Sequence, residues 1–109
     1  MLIHNNQIIL SAEVLIDENL INDYQLPLNY SFRASFYLDG LEHSFFSEIT
    51  PETLIDIGVK KAKVRIHLPK VKELVDQVSK GLDFYVGGYN YPLLKGKILS
   101  PSSPASPSM

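Results

Sequence analysis

The sequence predicts an all-β domain, either a sandwich or a small barrel, and three observations carry that expectation. The first is strict alternation: Ala62, Val64, Ile66 and Leu68 are interleaved with Lys61, Lys63, Arg65 and His67, the period of two that a half-buried strand requires. The second is recurrence, since further short segments rich in β-branched and aromatic residues are separated by Gly, Pro, Asn and Asp, which punctuate strands with turns. The third is size. A chain of 109 residues, 45% hydrophobic and 20% charged, suits one soluble domain with a single core. Closing the sheet into a barrel would remove the exposed edges that an open sheet leaves.

Taken in order, residues 8 to 16 run Ile-Ile-Leu-Ser-Ala-Glu-Val-Leu-Ile and predict the first strand. Asp17, Glu18, Asn19, Asn22, Asp23 and Leu26-Pro27 follow; these turn formers, and a proline without a ladder donor, predict a long loop. From Tyr30 the residues Phe32, Ala34, Phe36 and Leu38 share one face with it, and Ser31, Arg33, Ser35, Tyr37 and Asp39 take the other. Asp39-Gly40 then predicts a two-residue type I′ hairpin into a strand over residues 41 to 49. Thr50-Pro51 reads as a helix cap followed by a first-turn proline, with Gly58 as the exit, so a short helical turn is expected. The alternating segment 61 to 68 is an amphipathic strand with a basic outer face. Val71, Leu74, Val75 and Val78 recur at helical spacing between Pro69 and Gly81, predicting a short helix. Leu82, Phe84 and Val86 alternate again, Gly87-Gly88 breaks the run as a turn or bulge, and residues 93 to 99 close with a sixth strand. Residues 1 to 99 therefore form one domain. Residues 100 to 109 hold three prolines and five serines and have nothing to bury, which predicts a disordered tail.

Charge is segregated along the chain. Residues 1 to 59 carry one basic residue, Arg33, against nine acids, whereas residues 60 to 109 carry nine basic residues against three acids, for a net charge of −2. Two surfaces follow from this asymmetry. An acidic one, comprising Asp17, Glu18, Asp23, Glu48, Glu52 and Asp56, would steer a basic protein partner. A basic one, comprising Lys61, Lys63, Arg65, Lys95 and Lys97, would hold RNA phosphates if the two strands come together, with Tyr85, Tyr89 and Tyr91, close by in sequence, free to stack on bases. The competing expectation is that these cations pair across strands with Asp39, Glu42 or Glu48.

No constellation for catalysis is assembled. His4, His43 and His67 lie in three separate segments without metal-ligand spacing. Asp17-Glu18 are adjacent and would point to opposite faces, and Glu48 with Glu52 makes no general acid and base pair. No serine sits in a G-x-S-x-G context, and Gly87-Gly88 is followed by neither a Lys-Ser/Thr pair nor a helix. The absence of cysteine removes thiol catalysis and disulfides and agrees with a reducing, cytoplasmic setting. Residues 1 to 10 read as neither signal peptide nor membrane span. The expectation is a non-enzymatic interaction module without a cofactor, binding a protein partner or, alternatively, RNA, and no membrane.

The ordered motifs resemble a known domain. Residues 9 to 16, the long loop, Tyr30 to Tyr37, Val64-Arg65-Ile66-His67-Leu68-Pro69, Gly81-Leu82-Asp83-Phe84-Tyr85-Val86 with Gly87-Gly88, and Gly96-Lys97-Ile98 look like the C-terminal β-barrel of translation elongation factor Tu. That resemblance implies a six-stranded antiparallel Greek-key barrel with no catalysis, which in the parent factor packs on a GTPase domain and touches tRNA. The family's Gly-Gly-Arg turn is Gly87-Gly88-Tyr89 here, and the basic residues of its first long loop are absent. A free-standing barrel of this kind would act as a translation-linked regulator or an immunity-type inhibitor.

Overall fold

A computed structural model describes residues 2 to 4, 6 to 78 and 81 to 98. The elements are β1 (Leu2–His4), β2 (Gln7–Ile16), α1 (Glu18–Asp23), β3 (Phe32–Leu38), β4 (Phe45–Pro51), β5 (Lys61–Pro69), α2 (Lys72–Gln77), β6 (Asp83–Gly88) and β7 (Tyr91–Lys97). Strand order is β1-β2-β5-β4-β3-β6-β7, every pairing is antiparallel, and a further ladder joins β2 to β7. Strands β2 to β7 thus close a six-stranded barrel with two short helices. The meander β3-β4-β5 returns to place β5 beside β2, which is a Greek key.

The alternation legible in the sequence is the inside and outside of this barrel. Along β5 the even residues Ala62, Val64, Ile66 and Leu68 are buried, and Lys61, Lys63 and Arg65 are exposed. Strand β2 answers with Ile8, Leu10, Ala12 and Val14, in register Val14 with Ala62 and Ile8 with Leu68. Phe36 and Phe84 stack in the interior at 5.1 Å between centroids. That ring needs room, which Gly96 supplies: a Cβ there would lie 2.8 Å from Phe84 Cζ. Ser47 is the one buried polar side chain among the described residues, and its hydroxyl donates to the Ala34 carbonyl at 2.6 Å, so its burial costs little. Leu20 of α1 and the Leu28–Ile55 bridge fill one rim, Leu74 and Val78 the other.

Several elements depart from the sequence expectations. The supposed long loop begins with α1, because Asp17 is an N-cap whose carboxylate accepts from Asn19 N at 3.0 Å. So short a helix is unstable alone; buried Leu20 and the bond from Asn19 Nδ2 to Pro92 O (2.9 Å) hold it against β7. The type I′ hairpin at Asp39-Gly40 does not form. Phe36 faces Phe45, and Tyr37 and Leu38 pair instead with Tyr85 and Phe84 of β6, so residues 39 to 44 become a loop in which Gly40, but not Asp39, has positive φ. The helical turn expected after Thr50 is also absent: Pro51 ends β4 opposite Val64, and Glu52 N and Thr53 N both donate to Lys63 O. Tyr30 precedes β3 and is exposed rather than in the core. Strand β1 was not expected; it turns into β2 through Asn6 at φ 64. Of the turn or bulge expected at Gly87-Gly88 the bulge is found, between Val86 and Gly87, and β6 continues through it to Gly88. The expected tail, residues 100 to 109, lies outside the described residues.

The bulge sets a test. Gly87 has φ +151, and a Cβ there would lie 2.9 Å from Leu93 N, whereas at Gly88 the nearest atom is Tyr91 Cβ at 3.6 Å. Gly87→Ala should lower the urea-unfolding free energy by about 1–3 kcal/mol, and Gly88→Ala should change it by less than about 0.5 kcal/mol. Equal effects at the two positions would contradict this account of the bulge.

Candidate functional site

Barrel closure sets β2 between the two lysine-bearing strands. Leu15 faces Lys61 of β5 on one side and Lys95 of β7 on the other, and the same row continues through Tyr85 of β6 to Tyr37 of β3. These side chains point outward because their strand neighbours Val14, Ala62, Leu94, Phe84 and Phe36 fill the interior. Residues 39 to 44 stand beside this row and wall an open cleft of about 1050 Å³, which also takes in Glu13, Asp83, Lys97 and Tyr89.

Aromatic surface dominates one side of the cleft. Tyr37 and Tyr85 stack at 4.6 Å with their rings 11° apart, and Tyr89 tilts against Tyr37 at 6.5 Å. The turn that presents Tyr89 is shaped by Asn90 at φ 53, whose backbone N–H donates to the Tyr85 hydroxyl at 3.2 Å. Tyr89 is 79% exposed and Leu15 52%. Large apolar area left uncovered in a concave site is what binding surfaces use.

The charges around this surface are balanced. Lys95 Nζ lies 3.6 Å from Asp17 Oδ2, and Lys97 Nζ 3.7 Å from Asp83 Oδ1. Glu13, Asp39, Glu42 and Asp83 line the cleft against Lys61, Lys95 and Lys97, so no field of one sign fills it. The cross-strand pairing expected for the cations does occur, but with other partners than Asp39, Glu42 or Glu48.

The basic set is therefore divided. Lys61, Lys95, Lys97 and Tyr89 meet at the cleft, while Lys63 stands opposite Glu13, and Arg65 reaches Glu52 at 3.0 Å. Tyr91 turns to α1, its hydroxyl donating to Asp23 Oδ2 at 2.9 Å. The acidic set comes from three parts of the fold. Asp17 caps α1, Glu18 follows it, and Asp23 holds Tyr91; Glu48 is on β4 opposite Arg33 and His67, and Glu52 and Asp56 lie in the segment after β4, where Asp56 accepts from Ile57 N. Sequence reasoning missed Tyr37 and Leu15. Both sit at outward positions of strands, where an uncharged side chain is itself the signal.

His43 lies 3.5 Å from Glu73 and against Phe45, and His67 lies near Gln7. Among the described residues no group of three His, Asp or Glu side chains is placed to hold a metal, and no helix is long and apolar enough to cross a membrane. No family model matches the chain, and no curated protein or solved structure matches it significantly.

Two tyrosines carry shifted hydroxyls. Burial, then the charge of Asp23 and the presence of Tyr30, pushes Tyr24 above the ordinary value of 10.0. The hydrogen bond to Asp23, followed by burial and the charges of Asp23 and Asp17, pushes Tyr91 above it as well. Because the folded value is raised, the contribution of the Tyr91–Asp23 bond is complete below the ordinary tyrosine value and is lost as pH rises through the folded one. In a tyrosinate absorbance titration, Asp23→Asn should move the onset for one tyrosine to lower pH; superimposable curves would show that the bond is not made in solution.

Proposed function

We propose that this barrel is a non-enzymatic binding module that takes an extended segment of a partner protein in the cleft beside residues 39 to 44. The observation that carries the reading is the half-buried Tyr37–Tyr85 stack with exposed Tyr89 and Leu15 in one concavity. Tyrosine offers a large, rigid, amphipathic contact at low entropic cost, and interface energy concentrates on such anchors. The interleaved carboxylates favour a polypeptide over a nucleic acid, because a phosphate approaching Lys95 or Lys97 also approaches Asp17 or Asp83. The resemblance of the sequence motifs to those of the C-terminal barrel of elongation factor Tu makes a component of the translation machinery, in the cytoplasm, the first partner to try.

The test is direct. Uncharged, lysine-rich and glutamate-rich ten-residue peptides are titrated against the isotope-labelled protein, and the backbone amides of Tyr85, Lys95 and Gly96 are followed. An uncharged peptide should shift these amides, and Tyr85→Ala should weaken its binding at least tenfold, about 1.4 kcal/mol. Binding indifferent to Tyr85→Ala, or no response to any peptide, would refute the cleft.

A second reading, RNA on the lysines, draws on the alignment of Lys61 and Lys95 across β2. It requires affinity for polyuridylate at about 50 mM salt that falls steeply by about 200 mM. Lack of binding at the lower concentration removes it.

A further inference from the structure

Resting on the cleft reading, we propose that the ligand class of this cleft is a proline-rich segment in polyproline II conformation, and that its resident occupant is the chain's own residues 101 to 107. The sequence beyond Ile98 places Pro101, Pro104 and Pro107 three residues apart. Three is the period of the polyproline II helix, so all three rings share one face. Segments of this kind dock in grooves lined by aromatic side chains, because their conformation is already fixed and little entropy is lost. The Tyr37, Tyr85 and Tyr89 wall is such a lining.

Charge selects the same occupant. From Leu99 to Ser108 no side chain ionises, and the cleft lysines Lys95 and Lys97 already stand beside Asp17 and Asp83. A neutral segment leaves both pairs intact, whereas an acidic or basic one competes with them. Serines between the prolines supply hydroxyls for Glu13, Asp39 or Lys61 at the rim.

Reach and length agree. Lys97 lines the cleft, and Ile98, the last described residue, is tied by its N–H to Leu82 O at 2.9 Å, so the chain leaves β7 at the cleft's edge. Leu99 and Ser100 are the residues available for the reversal that the proposal requires. The six steps from Pro101 to Pro107 cover about 19 Å at polyproline rise, matching the roughly 19 Å of the cleft row that runs over four strand spacings from Lys61 through Leu15, Lys95 and Tyr85 to Tyr37. Tethering gives an effective concentration on the order of millimolar, so weak intrinsic contacts suffice. The occupied cleft then admits an external segment only by displacing the tail.

Because the chain has no cysteine, Ser106→Cys in the full chain creates a unique attachment point for a nitroxide. The label should broaden the amides of Tyr37, Tyr85, Tyr89 and Lys95 selectively. That broadening should disappear with Pro101→Ala, Pro104→Ala and Pro107→Ala together, and with Tyr85→Ala, while the remaining spectrum reports an intact fold. The triple proline variant should also bind an added proline-serine peptide several-fold more tightly than the native chain. Broadening that is uniform, or unchanged by the proline substitutions, overturns the proposal. So does broadening seen only when labelled and isotope-labelled chains are mixed, which would assign the tail to a second copy. If the tail leaves the cleft untouched while another added peptide shifts Tyr85 and Gly96, this inference fails and the cleft reading stands. If no peptide shifts them even in the triple proline variant, both fail.

Discussion

The structure depends on the closure of β2 onto β7. Without that ladder the sheet would end in two open edges, and the rows of unpaired amides would invite other strands. Closure requires Val14 to face Gly96, and it requires that position 96 carry no side chain, since the Phe84 ring occupies the space a Cβ would fill. The backbone bonds from Ile16 N to Lys60 O and from Asp17 N to Leu93 O extend the contact past the strand end on both sides of β2. A glycine, an aromatic ring and two neighbouring ladders therefore act together.

The outer surface is a by-product of the same constraint. Fixing β2 between β5 and β7 fixes which residues share a row, and a shift of register by one residue would replace Leu15, Lys95 and Tyr85 with buried side chains. The cleft is thus as well determined as the core beneath it. Its third wall comes from a failed hairpin: Tyr37 and Leu38 find partners in β6 rather than in a tight turn, and the six residues released stand up beside the sheet. A compact connection would have left the tyrosines on a flat face.

What was legible in the sequence was whatever period and composition determine locally. Residues 61 to 68 announced their burial residue by residue, and Val71 to Val78 announced a helix, because both patterns are continuous over the element. Asp17 was misread because a residue that caps a helix is also a turn former, and six residues of α1 are too few to show a period. Asp39-Gly40 was misread because the turn signal is local, whereas the competing partners Tyr85 and Phe84 lie more than forty residues away. Thr50-Pro51 carries a cap signature that the ladder with β5 overrides. The basic residues are legible by type, but only the pairing of β2 with both β5 and β7 divides them between cleft, Glu13 and Glu52.

Asp17 has two employments. One carboxylate oxygen holds the first turn of α1 and the other stands 3.6 Å from Lys95, which lines the cleft. The helix in turn covers β7 and, through Asp23, positions Tyr91. A substitution at Asp17 selected to alter the cleft's charge would therefore be felt in the packing of the rim, and one selected for a better cap would be felt in the cleft. Sequence drift at this position is constrained from two directions at once, so the ligand preference of the barrel and the integrity of its rim are expected to evolve together rather than separately.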